Sequence, residues 1–430
     1  MFSLILLLTV STFLLFGKNA SPSARLGFVS ALSLSLVGMT VPFIWNWSRF
    51  YGTPGLLPSH FLSKSDVTTF NYLFLLIGLG SLLSGLMFSV SARLLNDRDI
   101  KHVPRLNLKD VRDSKIIPLF GLLTLLFLIL GLGRAVLMNE GYLTFSGSQT
   151  LLRAANALLP ASLVSLGFAI SKSKYKRVNL WLFLTIFLVQ AGRGSRIVLI
   201  MPLVITVILL KKVRSTLLKI GVLVLTVFLS LVLIEISFSA RNSSSGLLGL
   251  PEEIMRASEK SLILSNFIPS VGRLLASLTS WAPTVISSIP ETSKSVILRN
   301  LNPLIGSGSD ALSYSSDGLE RLYPYVWVPL SSLGQIYGAF GGIALILIMF
   351  LITTVAALSL QPGTRRDSLT VFSLLSLSTY IFQFPLFFQY SSRIWLRVLW
   401  LLVLFTVLHM FFRIRIGSSL QQQGKEYRRD

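Results

Sequence analysis

The chain has 430 residues, with 39 Lys and Arg against 17 Asp and Glu, and it contains no cysteine. Apolar residues make up 52% and charged residues only 13%, about half the charged fraction of soluble domains. This composition excludes a soluble globular enzyme and a disordered chain. The missing cysteines exclude disulfides, thiolate nucleophiles and Cys-based metal sites, and three histidines argue against a His-rich metal centre.

Apolar blocks of about 20 residues recur along the chain, the length that a helix needs to cross the hydrocarbon of a bilayer. They predict an all-α polytopic membrane protein with about eleven transmembrane helices. The predicted spans are 2–16, 26–45, 70–91, 116–138, 151–170, 178–191, 195–210, 216–237, 326–358, 368–388 and 394–412. The first span has no basic segment before it, unlike a cleaved signal peptide.

The basic residues set the predicted orientation. With the N-terminus outside, the inner segments together with Lys219 at the membrane edge hold 24 of the 39 Lys and Arg, as the positive-inside rule requires. The C-terminus is then cytoplasmic. This bias accounts for much of the formal charge of +22, so we expect no nucleic-acid partner and take the lipid bilayer as the surroundings.

One outer segment is much longer than the other connections. Residues 238–325 separate an N-terminal membrane bundle (1–237, about eight spans) from a C-terminal bundle and tail (326–430, about three spans). We expect one large extracytoplasmic loop that contains short helices. Within it, 267–289 is long enough to span, but Pro269, Arg273 and Pro283 favour short helices at the interface.

The predicted outer side is rich in arginine rather than lysine, which suggests a bound anion because guanidinium grips phosphate or carboxylate through two N–H groups. The sharpest cluster is Gly192-Arg193-Gly194-Ser195-Arg196, between two spans. Its glycines permit a tight reversal and leave backbone N–H groups exposed, and the next helix begins there with its positive dipole end. We therefore expect an anion site at this turn. The alternative is a plain turn whose arginines contact lipid headgroups.

Other charged residues are candidates for the same site. Arg241 follows the eighth predicted span, Arg393 precedes the last one, and Arg134 and Arg153 lie at the ends of the fourth and fifth. Glu235 is the candidate general base, since carboxylates inside membrane spans are usually functional. For each arginine the alternative is a side chain that reaches the membrane surface, and for Glu235 it is an ion pair with an arginine.

Three segments together resemble the oligosaccharide repeat-unit polymerases, the Wzy-type O-antigen polymerases of bacteria. They are the turn 192–196, the Ser239-Ala240-Arg241 step into the long loop, and the passage from Trp327 to Gly342. The resemblance implies a glycosyltransferase of the bacterial cytoplasmic membrane. Its substrates would be polyprenyl-diphosphate-linked oligosaccharides, presented at the outer leaflet.

The same resemblance implies no cofactor, no nucleotide donor and no obligatory metal, and it implies a flippase and a chain-length regulator as partners. Diphosphate binding is then expected at Arg193, Arg196, Arg241 and Arg393, with Arg134 and Arg153 beside them. We expect Glu235 and Arg196 to act in catalysis. Two other readings stay open, an O-antigen ligase and a flippase or transporter of lipid-linked glycans. A ligase typically carries a histidine in the outer loop, and 238–325 has none.

Overall fold

A computed structural model describes residues 21–50, 64–94, 114–137, 146–170, 173–195, 215–243, 246–259, 332–360, 371–381 and 395–411, with a few isolated residues between 198 and 298. Some residues inside the helices are described by their backbone alone. The predicted span 2–16 and the segment 267–289 lie outside the described residues.

Every regular element in this part of the chain is helical. The helices are α1 (Pro22–Phe50), α2 (Lys64–Leu94), α3 (Ile116–Leu132), α4 (Gln149–Ile170), α5 (Lys176–Gly192), α6 (Thr216–Ser243), α7 (Gly246–Glu259), α8 (Ser332–Leu358), α9 (Val371–Ile381) and α10 (Trp395–Phe411). A short 3₁₀ turn, Gly133–Val136, continues α3.

Four segments are long and apolar enough to cross a membrane: Asn71–Ser91, Ile116–Val136, Gln149–Ile170 and Ser332–Leu358. Shorter apolar helices are Thr216–Ser230, Val371–Ile381 and Trp395–Phe411. On α3, Leu119 and Leu122 are among many exposed leucines, an arrangement suited to lipid rather than to water. The chain is therefore a helical membrane protein, while the count of eleven spans and the large loop stay predictions.

The helices group into two compact units. Unit 1 contains residues 1–105, 272–364 and 379–430, and unit 2 contains 106–271 and 365–378. In unit 1, α1 and α2 pack with each other and with α8. The division at 237 and 325 stays a prediction.

Small residues let the helices of unit 1 approach closely. A Cβ placed on Gly27 of α1 would lie 2.5 Å from the backbone N of Gly85 in α2. One on Gly80 of α2 would lie 2.4 Å from the carbonyl oxygen of Ile346 in α8. Such contacts between backbones are typical of helix packing in membranes. Gly341 interrupts α8 with φ 75°.

Buried hydroxyl groups within unit 1 link α1, α2 and α8 to Tyr380, which lies in the last residues of α9 that belong to this unit. The hydroxyl of Tyr380 in α9 donates to Ser30 Oγ of α1 at 3.0 Å and lies 3.0 Å from Thr353 Oγ1 of α8. Thr353 Oγ1 lies 3.3 Å from Ser81 Oγ of α2. Tyr380 is 1% exposed, so these hydrogen bonds are shielded from competing water.

In unit 2, α3 and α4 form an antiparallel pair, and backbone hydrogen bonds join the end of α3 to the segment just before α4. The N–H groups of Ser146 and Ser148 donate to the carbonyls of Leu132 and Leu130 at the end of α3, both at 3.1 Å. Gly133 has φ 58°, a left-handed conformation that glycine tolerates best. A Cβ on Gly131 would lie 2.5 Å from the backbone N of Leu152, so the two helices meet closely at this end.

Helices α5, α6 and α7 also belong to unit 2. Ala191, Val198, Ile236 and Leu250 form a buried cluster that joins the end of α5, the chain just after it, α6 and α7. Helix α6 runs to Ser243, six residues past the predicted end of its span, and α7 begins three residues later at Gly246.

Candidate functional site

The turn after α5 is a defined helix ending. The N–H of Gly194 donates to the carbonyl of Ala191 and the N–H of Ser195 to that of Gln190, both at 2.9 Å. Gly194 has φ 66°. These two bonds and the left-handed glycine constitute a Schellman motif. The tight reversal expected from the glycines is therefore present.

The same hydrogen bonds change the expected role of the turn's backbone. The N–H of Arg193 also donates to a helix carbonyl, that of Val189, at 3.3 Å. The N–H groups of Arg193, Gly194 and Ser195 are thus directed at the end of α5, and the expectation that they are exposed toward an anion is wrong. Only the side chains of this turn are therefore available to bind an anion.

Arg193 is buried, with 8% of its surface exposed, although it carries a full positive charge. Its neighbours in sequence explain the burial, since Ala191 and Val198 belong to the apolar cluster with Ile236 and Leu250. A buried guanidinium is costly unless charged or polar groups surround it, and its interaction with an anion is stronger there than in water. Arg193 therefore differs from an arginine at the protein surface, whose guanidinium is surrounded by water.

Helix α7 covers the same end of the unit. A Cβ on Gly192 would lie 3.0 Å from the carbonyl carbon of Gly246 and 3.0 Å from the N of Leu247. The N–H of Leu248 donates to the carbonyl of Leu137, just beyond the 3₁₀ turn, at 3.3 Å. The 3₁₀ turn, the start of α4, the ends of α5 and α6 and the start of α7 therefore meet at one end of unit 2, which we call the arginine end.

Two further predicted residues lie at the arginine end. Arg134 is in the 3₁₀ turn and is exposed, and its backbone N–H donates to Ser146 Oγ at 2.7 Å. Arg153 is in the first turns of α4 and is partly exposed. It follows Leu152, whose backbone packs on Gly131. The three arginines thus range from buried to exposed.

Glu235 and Arg241 both belong to α6, and only their backbone positions are described. Glu235 precedes Ile236 of the buried cluster, so its helical turn is level with the end of α5. Arg241 comes six residues later, about 9 Å farther along the helix axis.

The remaining predicted site residues are not joined to this group by the described structure. Arg196 and Arg393 lie outside the described residues. Arg397, near Arg393 in sequence, is in α10 of unit 1 and is partly exposed. Within the described part of the chain, no cluster of three His, Asp or Glu side chains could hold a metal ion.

Sequence reasoning missed one residue of the arginine end. Gln190 is 1% exposed and its Nε2 has no hydrogen-bond partner. It lies three residues before Arg193, one helical turn away. A polar residue at a core position of an otherwise apolar span was the available signal.

No protein-family model, no curated protein and no solved structure matches the chain. The fold and the composition define its class, a helical membrane protein. Its chemistry must therefore be argued from the arginine end itself.

Proposed function

We propose that this protein is a membrane glycosyltransferase that polymerises polyprenyl-diphosphate-linked oligosaccharide units for O-antigen, capsule or exopolysaccharide. The observation that carries the proposal is the grouping of Arg134, Arg153 and Arg193 at the arginine end of unit 2. Guanidinium groups bind phosphate oxygens through paired N–H donors. Three of them at one end suit a lipid-linked diphosphate, and we propose Arg241, farther along α6, as a fourth.

The proposed reaction transfers the growing glycan from its carrier. The oxygen of an acceptor sugar hydroxyl attacks the anomeric carbon of the donor glycan, and the bond between that carbon and the diphosphate oxygen breaks. Negative charge develops on the departing diphosphate, and arginines already in place stabilise it without reorganisation. Glu235 takes the hydroxyl proton, and the lipid diphosphate keeps the electron pair of the broken bond.

The proposed site faces outward. The excess of Lys and Arg in the alternate connections supports an N-terminus outside the bacterial cytoplasmic membrane and a cytoplasmic C-terminus. In this orientation the ends of α3, α5 and α6 are all outer ends. Residues 238–325, of which α7 is a described part, would cover the substrates and exclude water that would otherwise hydrolyse the donor.

Reconstitution tests the proposal directly. The purified full-length protein in vesicles is given one defined oligosaccharide on polyprenyl diphosphate, with no nucleotide sugar and no added metal. We expect a ladder of products that differ by one repeat unit. An Arg193→Ala variant inserted at the same level should give no ladder.

Other outcomes identify the rival functions. Transfer of a single glycan to added lipid A-core, without a ladder, would indicate an O-antigen ligase. Movement of the lipid-linked glycan between leaflets, without a new glycosidic bond, would indicate a flippase. Either result would replace the polymerase proposal.

A further inference from the structure

The buried face of α5 carries amides at positions where an apolar side chain is expected. Asn179, Phe183, Ile186 and Gln190 are all buried, at successive spacings of four, three and four residues. This spacing places them on one face of the helix. We call these four residues the buried stripe of α5. Its two middle residues are apolar, and the residues at its two ends carry amides.

Gln190 lies at the arginine end, in the last turn of α5. Its carbonyl accepts the N–H of Ser195, one of the two bonds of the Schellman motif. Its side-chain Nε2 is buried and has no hydrogen-bond partner. Buried donors in folded proteins are nearly always paired, so a buried donor without a partner in the chain, next to an arginine, is a candidate for contact with a bound anion.

Arg193 lies on the same helix face as Gln190. The backbone of Arg193 is still right-handed helical, with φ −81° and ψ −6°, so the geometry of α5 extends to it. Residues three apart on a helix are neighbours at its surface. An amide donor and a guanidinium, 1% and 8% exposed, are therefore adjacent in a shielded environment.

We infer that the Gln190 amide binds a phosphate oxygen of the lipid-linked diphosphate, next to Arg193. This inference rests on the proposed function, and it adds a binding residue that the arginine pattern does not contain. Nε2 and the guanidinium supply only N–H donors, and phosphate oxygens accept only, so the two sides match. In this low-dielectric position each such bond is stronger than at the surface.

The chain offers a matched control on the same stripe. Asn179 is 0% exposed, and neither polar atom of its side chain has a hydrogen-bond partner. It lies eleven residues from Gln190, about 16 Å along the helix axis, so a phosphate held at the arginine end does not reach it. Replacing either amide removes a buried unpaired group, but only Gln190 is expected to affect binding.

The experiment measures binding of polyprenyl diphosphate, without glycan, to the full-length protein in lipid nanodiscs, together with its unfolding temperature. For Gln190→Met, which keeps the length of the side chain, we expect binding weakened about tenfold or more, the loss of at least 1.4 kcal/mol. Its unfolding temperature should equal or exceed that of the wild type, because an unpaired buried donor has been removed. Asn179→Leu should bind as the wild type does.

A second variant and a second lipid complete the test. Gln190→Asn keeps the amide but withdraws it by one methylene, and it should also bind more weakly. Excess phosphatidylglycerol should not compete, whereas equal competition would make this a general headgroup site and overturn the inference. Wild-type binding in either Gln190 variant would also overturn it. If the wild-type protein makes a ladder and Gln190→Met binds polyprenyl diphosphate normally, only the role of Gln190 is refuted. If the wild-type protein neither binds polyprenyl diphosphate nor makes a ladder, the proposed function itself is refuted.

Discussion

Gly192 of α5 lies against Gly246 of α7 so closely that a Cβ on Gly192 would be 3.0 Å from the Gly246 carbonyl carbon. The three atoms nearest to this Cβ are all backbone atoms of Gly246 and Leu247, which cannot move aside like the end of a side chain. We expect Gly192→Ala to displace α7 from α5 and to lower the free energy of unfolding by about 1–3 kcal/mol, the usual effect of overpacking. Thermal unfolding in detergent measures the effect.

Gly221→Ala is the control for this substitution. A Cβ on Gly221, in α6, would have no heavy atom within 4 Å. Since alanine favours a helix more than glycine does, we expect Gly221→Ala to stabilise the protein by about 0.5–1 kcal/mol. Equal stability changes in the two variants would show that α5 and α7 are not in contact at Gly192.

Gly194 is needed for its backbone conformation. Its φ of 66° is strained for a residue with a Cβ, so Gly194→Ala should cost about 1–2 kcal/mol of unfolding free energy. Gly194→Asn should cost less, because asparagine tolerates this conformation better. Chemical denaturation of the two variants tests the order, and a larger loss for Gly194→Asn would contradict a left-handed residue here.

Arg193→Lys tests the geometry of the guanidinium while keeping its charge. Lysine supplies a single ammonium in place of a planar fork, so we expect the rate of ladder formation to fall about 10- to 100-fold. Arg25→Lys, near the start of α1 in unit 1, is the control and should leave the rate unchanged. If Arg193→Lys were as active as the wild type, positive charge alone would be sufficient.

The absence of cysteine makes the proposed orientation testable by labelling. Glu252 in α7 and Lys174 just before α5 are both exposed, and they lie toward opposite ends of α5. In intact cells a membrane-impermeant maleimide should label Glu252→Cys but not Lys174→Cys, which should react only after permeabilisation. The opposite pattern would put the arginine end in the cytosol and remove the basis of the proposed function.

Tyr380→Phe removes the hydroxyl that links Ser30 and Thr353 in unit 1. We expect a loss of about 1 kcal/mol in unfolding free energy, because hydrogen bonds between membrane helices are individually modest. A Tyr380→Phe, Thr353→Val double variant should lose less than the sum of the single losses, since both remove the same bond. Strict additivity in thermal unfolding would mean that the two hydroxyl groups do not interact.

The sequence predicted the helices of unit 2 well where apolar blocks have polar borders. The predicted spans 116–138, 151–170 and 178–191 differ from α3 with its 3₁₀ turn, α4 and α5 by two residues at most. These helices begin and end where charged or polar residues border an apolar block, so the sequence alone indicates their ends. By contrast, α6 continues six residues beyond its predicted end at 237, because a helix can extend past the apolar block into a polar segment.

The candidate site was predicted only in part. Residue type identified Arg134, Arg153 and Arg193, and the alternation of spans implied that they share one side of the membrane. Which of them is buried depends on packing between α5, α6 and α7, and no local pattern encodes that. The Schellman bonds of the turn were missed for a similar reason. Glycine permits both an exposed and an internally bonded turn, and only the structure distinguishes them.

The graded exposure of Arg134, Arg153 and Arg193 has a consequence for how ionic strength acts on this protein. Mobile counterions screen exposed charges beyond about 8 Å at physiological salt, but they penetrate poorly to a buried group. Added salt should therefore weaken attraction at the exposed Arg134 first, slowing capture of an anionic lipid from the bilayer. Retention of that lipid, which depends on Arg193, should change much less.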